Sequence, residues 1–204
     1  MKKLVFLFLL VSAGLMAQEE TTEAVYPAGG TGEFGIGLGY TGSYATDDGF
    51  TSAEGYDTGD GGSLGFQYEY FLSSSWGIKA RLNVELKSVE VEAFGDQLDL
   101  LYITVPVMAS WHFGMKKRWY LHFGPYVGIL TYAQLRDAET DLKDQFNSVE
   151  FGSDIGVGVR IPALKGKWFF IELDFQNGFS TPFKDNTVSD EKLGRSTIGF
   201  GLIF

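Results

Sequence analysis

His112 and His122 are the two imidazoles of the chain, and each has a hydroxyl two residues before it, Ser110 and Tyr120. A serine beside an imidazole becomes a nucleophile when an acid orients the imidazole and a substrate can reach the hydroxyl. No acid partner is evident nearby in sequence, so the grouping reads as structural or pH-sensitive side chains rather than a hydrolase centre. A second grouping is the segment 45–62, which carries Asp47, Asp48, Glu54, Asp57 and Asp60. Clustered carboxylates suit a hard cation, but their spacing is not that of an EF-hand loop, and a solvated acidic loop is expected. The glycine runs GIGLGY (35–40) and GVGV (156–159) precede no helix. They offer no phosphate cradle and instead leave space for large neighbours. Cysteine is absent, which excludes disulfides and thiolate metal sites. No catalytic residue, metal or cofactor is expected.

The elements that carry these side chains follow a period of two. The 204 residues include 27 glycines and 5 prolines, and 16% are aromatic, a composition of many short strands and turns. Hydrophobic residues reach 45%, which excludes a disordered chain. A net charge of -10 argues against a nucleic-acid partner. Met1-Lys2-Lys3 followed by the apolar run Leu4 to Ala17 describes a secretory signal over residues 1–17, too short for a transmembrane helix. Residues 18–32, acidic and then glycine-rich, read as a flexible periplasmic leader.

Residues 33–204 contain eight alternating segments, at about 33–44, 63–72, 76–88, 99–113, 119–135, 149–162, 168–179 and 196–204. The third is the clearest: Ile78, Ala80, Leu82, Val84 and Leu86 alternate with Lys79, Arg81, Asn83, Glu85 and Lys87. Pro106, Pro125 and Pro162 suggest bulges or irregular pairing. Long connections (45–62, 89–98, 136–148, 180–195) alternate with short ones (73–75, 114–118, 163–167). The expected fold is all-β, an eight-stranded antiparallel up-and-down transmembrane β-barrel.

Three features put the apolar face outward. The four tryptophans, Trp76, Trp111, Trp119 and Trp168, stand beside the short turns, as an interfacial aromatic belt requires. The long connections carry -5, -3, -2 and 0, whereas Lys116, Lys117, Arg118, Lys165 and Lys167 make the short turns basic. The chain closes an alternating strand on Phe204, which is similar to a terminal assembly signal. The ionisable positions then face inward: Glu69, Glu85, Asp154, Glu172 and Asp174 against Lys79, Arg81, Lys87 and Arg160. Eight strands enclose a lumen that side chains can fill.

The segments LLYITVPVMASWHF (100–113), WYLHFGPYVGIL (119–130), FGSDIGVGVRI (151–161) and IGFGLIF (198–204) occur in that order. Their Y-[IL]-x-[IV]-P element at Tyr102–Pro106 and G-P-Y-x-G element at Gly124–Gly128 resemble the PorT-like outer-membrane β-barrel family over roughly residues 30–204. The resemblance implies an outer-membrane barrel. Its named member is associated with secretion across the outer membrane, and that role would come from the resemblance alone.

The expectation is a small non-enzymatic barrel of the Gram-negative outer membrane. It would have acidic extracellular loops, a filled lumen and an envelope, surface-interaction or secretion-associated task. The alternative is a narrow path for protons or small solutes. Expected partners are outer-membrane lipid, lipopolysaccharide and the assembly machinery, with no nucleic acid and a monomeric barrel.

Overall fold

A computed structural model describes residues 27–46, 56–91, 95–114, 116–137, 140–163, 166–184 and 191–204. The expected signal segment, leader residues 18–26, the acidic segment 47–55 and Lys165 lie outside the described residues. The strands are β1 (Gly32–Thr46), β2 (Tyr56–Phe71), β3 (Trp76–Val91), β4 (Asp96–Phe113), β5 (Trp119–Leu135), β6 (Val149–Pro162), β7 (Trp168–Gly178) and β8 (Lys192–Ile203). Each pairs antiparallel with its chain neighbour, and β8 returns to β1, closing the barrel. Closure removes both sheet edges, so every strand is paired on both sides.

Alternation decides what each face meets. Along β3, Ile78, Leu82 and Val84 are exposed, whereas Lys79, Arg81, Asn83, Glu85 and Lys87 are buried. β4 repeats the pattern, with Ile103, Val105 and Val107 outside and Tyr102, Thr104 and Met108 inside. The same inversion runs around all eight strands. The barrel therefore presents a continuous apolar girdle outward and buries its charges, the arrangement of a wall immersed in lipid. The strands span 11 to 18 residues. A tilted crossing takes about 9–11, so the longer ones project beyond the bilayer.

The projection is at the end away from the termini. β3 and β4 remain paired out to Val91↔Asp96, so the connection expected at 89–98 shrinks to residues 92–95. Asp57 and Asp60, expected in a loop, belong to β2. The two register shifts lie at Thr58/Ser63 and at Leu101/Tyr102, not at the prolines. Pro106 still pairs with Tyr126 and Pro125 with Ser153. A proline deletes one ladder donor, but that loss leaves the register of its strand intact. Residues 27–31 of the expected leader form a turn clipped to β2: Gly30 N donates to Phe71 O and Phe71 N to Thr31 O.

Candidate functional site: the charged lumen

The inward side chains stack in levels from the short-turn end to the loop end. At the lowest level Arg160 pairs with Glu33, its guanidinium 5.0 Å from the Trp168 ring and 5.8 Å from the Phe71 ring. Trp168, Phe170 and Ile203 close the lumen there as an apolar cluster. Trp168 thus departs from the expected belt: it is 5% exposed and turned inward. β7 points Phe170, Glu172 and Asp174 into the lumen, and Trp168 shares their parity. The outward belt is built by Trp76, Trp111 and Trp119, with Trp76 and Trp111 stacked at 6.2 Å and Trp111 and Phe113 at 4.9 Å. Phe204 is exposed at the same end of the barrel, next to β1 and β7, its ring 4.8 Å from Lys167 Nζ.

Above the apolar floor, Glu69 receives Lys79 at 3.6 Å and His112 Nε2 at 2.6 Å. Lys79 Nζ also sits 4.0 Å over the Tyr120 ring. Ser110 Oγ lies 3.2 Å from the same His112 Nε2. Hydroxyl and acid therefore converge on one ring nitrogen. A relay needs them on opposite nitrogens, so this geometry cannot pass a proton from serine through imidazole to acid. Ser110 is moreover fully buried. The sequence showed no acid partner, and the structure brings one to each histidine, Glu69 to His112 and Asp174 to His122.

The middle level is the densest. Arg81 reaches Glu172 at 2.6 Å and Asp174 at 3.3 Å. Arg195 grips Glu85 through Nε at 3.1 Å and Nη2 at 2.8 Å, and donates to Asp174 at 2.8 Å. Tyr120 donates to Glu172 at 2.8 Å, and Gln176 Nε2 to Asp154 at 2.9 Å. His122 Nε2 lies 2.8 Å from Asp174 Oδ2 and 3.7 Å from Asp154 Oδ1. Glycines in the wall make this crowding possible. A Cβ on Gly158 would fall 2.4 Å from the Tyr120 ring, and one on Gly156 2.4 Å from His122 Nε2. A cavity of about 40 Å³ remains against β1, β2 and β8, bordered by Arg81, Glu85, Asp174 and Arg195.

At the upper level Lys87 pairs with Glu150, which also accepts from the Tyr126 hydroxyl. Over it lies an apolar cluster that includes Val89, Leu98, Leu100, Leu130, Phe146 and Leu193. Phe146 comes from the 136–148 loop, just after a 3₁₀ turn at Lys143–Gln145. Its ring packs 4.8 Å from Phe183, and Asn147 N donates to Pro182 O, so two loops join over the barrel mouth. The lumen is closed by apolar side chains at both ends.

All nine residues expected in the lumen network are buried in the interior: Glu69, Lys79, Arg81, Glu85, Lys87, Asp154, Arg160, Glu172 and Asp174. Sequence reasoning missed Glu33, Glu150 and Arg195, although each shares the inward parity of its strand. The levels differ in charge. Glu33–Arg160, Glu69–Lys79 and Lys87–Glu150 are one-to-one pairs. In the middle, four carboxyl groups, Glu85, Asp154, Glu172 and Asp174, share two guanidiniums, Arg81 and Arg195, among the described residues.

The model of the outer membrane protein beta-barrel domain matches residues 16–184. No curated protein matches the chain significantly. Among solved structures, the outer membrane protein OprG from Pseudomonas aeruginosa superposes with a TM-score of 0.54 at 15% identity, over 87% of this chain and 98% of that one. Neisserial surface protein A superposes with a TM-score of 0.53 at 10% identity, over 83% of this chain and 95% of that one. Those likenesses carry the fold. Together with the lipid-facing girdle and the family match, they identify the chain as a member of the outer membrane protein beta-barrel domain family, resident in the Gram-negative outer membrane.

Proposed function

We propose that this protein is a non-enzymatic, monomeric surface barrel whose lumen is a structural core and whose outer rim makes the functional contacts. The closed lumen carries this reading: apolar clusters cap both ends of an interior filled by buried charged side chains. A buried serine whose histidine shares one nitrogen with an acid supports the absence of catalysis. The described rim exposes Asp57, Asp60, Glu90, Asp137, Asp141 and Asp144. Such carboxylates suit a cationic partner, or lipopolysaccharide phosphates bridged through divalent ions. At the other end, Lys116 and Lys167 are exposed in the short turns, and the exposed Phe204 suits a contact with the assembly machinery during insertion.

The test uses proteoliposomes and vesicles containing lipopolysaccharide. In magnesium the wild type is expected to tether the vesicles, and the Asp57→Asn/Asp60→Asn/Asp141→Asn/Asp144→Asn variant to tether few. Equal tethering by both, or none by the wild type, would remove the acidic rim from the reading.

A secretion-associated role is a second reading, supported by the PorT-like elements. Tyr102–Pro106 and Gly124–Gly128 meet across β4 and β5, where Thr104 pairs with Gly128 and Pro106 with Tyr126. Loss of exported proteins from the culture medium on deleting the gene would favour it, and an unchanged exported set would exclude it. The narrow-path alternative requires both apolar caps to give way.

A further inference from the structure

We propose that the middle of the lumen binds a divalent first-row transition-metal ion through His122, Asp154 and Asp174. The three candidate ligand atoms lie within 4.8 Å of one another, and all three residues are buried. They come from adjacent strands, β5, β6 and β7. In register, His122 pairs with Gly156, and Gly156 with Asp174. Gly156 therefore stands between the imidazole and the carboxylate without a side chain to part them. Asp154, two residues before Gly156, shares its inward parity and completes the triangle.

Distances fit a common ion. His122 Nε2 is 2.8 Å from Asp174 Oδ2 and 3.7 Å from Asp154 Oδ1. Ligands held at about 2.0–2.2 Å in a tetrahedral site lie about 3.4 Å from each other. Side-chain rotation has to make up the remaining difference, from separations that are at most 4.8 Å between any two of the atoms. The bonding pattern points the same way. Asp154 Oδ1 makes no hydrogen bond, although the residue is 1% exposed. Its other oxygen is anchored by Gln176, which orients the free one as a support orients a ligand. Arg195 is bidentate on Glu85, 2.8 Å from Asp174 Oδ1 and 3.9 Å from Asp154, and Arg81 is held by Glu172 and lies 3.3 Å from Asp174 Oδ2, so an ion would share Asp174 with both guanidiniums while Asp154 Oδ1 is left to it.

Charge supplies the third line. Among the described residues this level alone has four carboxyl groups for two guanidiniums, and ionising all four in the interior is expensive. One divalent cation restores neutrality. An imidazole with two carboxylates selects zinc or a neighbouring transition ion over magnesium or calcium, which prefer oxygen alone.

The experiment strips the detergent-purified barrel with EDTA, adds zinc and removes the excess by gel filtration. Bound zinc is then measured by elemental mass spectrometry, and folding by the compact band on unboiled gels. The wild type is expected to retain about one equivalent, because a buried site with protein ligands releases its ion slowly. Asp154→Asn should give the compact band and lose most of that zinc. Asp57→Asn/Asp60→Asn on the rim should keep it. A compact wild type without stoichiometric zinc, or zinc retained by Asp154→Asn or lost from the rim variant, overturns the site. Should Asp154→Asn fail to fold, X-ray absorption at the zinc edge of the wild type decides. A shell of nitrogen and oxygen supports the site, and one of oxygen alone rejects it.

Discussion

Lys87 shows what a single lumen charge does for the barrel. Its ammonium pairs with Glu150 and lies 4.8 Å over the Tyr102 ring and 5.3 Å over the Tyr126 ring, all fully buried. Removing one partner of a buried pair strands the other, which costs about 3–5 kcal/mol, whereas removing both is often close to neutral. Lys87→Met should therefore destabilise the barrel by about 3–5 kcal/mol, and Lys87→Met/Glu150→Gln should recover most of the loss. Urea unfolding in lipid vesicles measures both. A double variant no more stable than the single one would mean that the pair does not act as a unit. Glu150 was legible in the sequence only by carrying the parity of Asp154 and Arg160 back along the strand. Arg195 is hidden for a related reason: the alternation is plain only from Ser196 onward, so a central lumen cation at the start of β8 reads as a loop charge. Trp168 is the converse case. An aromatic beside a turn resembles a belt residue, but the alternation of its own strand turns it inward onto Arg160.

Strands were the most legible elements, because lipid and lumen impose opposite demands on successive residues and so write period two into the chain. Their ends were less so. Beyond the bilayer the outer face meets water and the inner face packs the apolar roof, so the alternation reverses, with Val89, Leu98 and Leu100 buried and Glu90 exposed, and a lipid-facing pattern stops short of Val91↔Asp96. The same logic grades substitutions along the outer face. Leu82 is exposed in mid-strand on β3, and Tyr132 is exposed near the loop end of β5. An arginine on the lipid face costs about 2–4 kcal/mol at the midplane and about 0–1 kcal/mol near an interface. Leu82→Arg should therefore lower unfolding stability by about 2–4 kcal/mol, and Tyr132→Arg by about 1 kcal/mol at most. Equal costs measured in the same urea assay would contradict the placement of these residues in the bilayer.

For the whole molecule, the question is what the closed cylinder allows through. Three barriers lie in series: the floor of Trp168, Phe170 and Ile203, the ion-paired middle, and the roof into which Phe146 descends. Barriers in series are each sufficient, so a current requires all three to be breached. Wild-type protein in a planar bilayer is expected to be silent. Trp168→Ala opens the floor alone and Phe146→Ala the roof alone, and each should remain silent. Trp168→Ala/Phe146→Ala/Arg195→Ala removes both caps and the guanidinium that binds Glu85 to Asp174 across the centre. That variant should show ohmic steps, provided the compact band confirms its folding. Steps from the wild type or from either single variant would show that the apolar ends yield to water, and the barrel would then be a channel rather than a pedestal for its rim. The sequence indicated a filled lumen by its near-balanced acids and bases. It gave no sign of the roof, because Phe146 lies in a loop and reaches the lumen only through the pairing of that loop with the segment around Phe183.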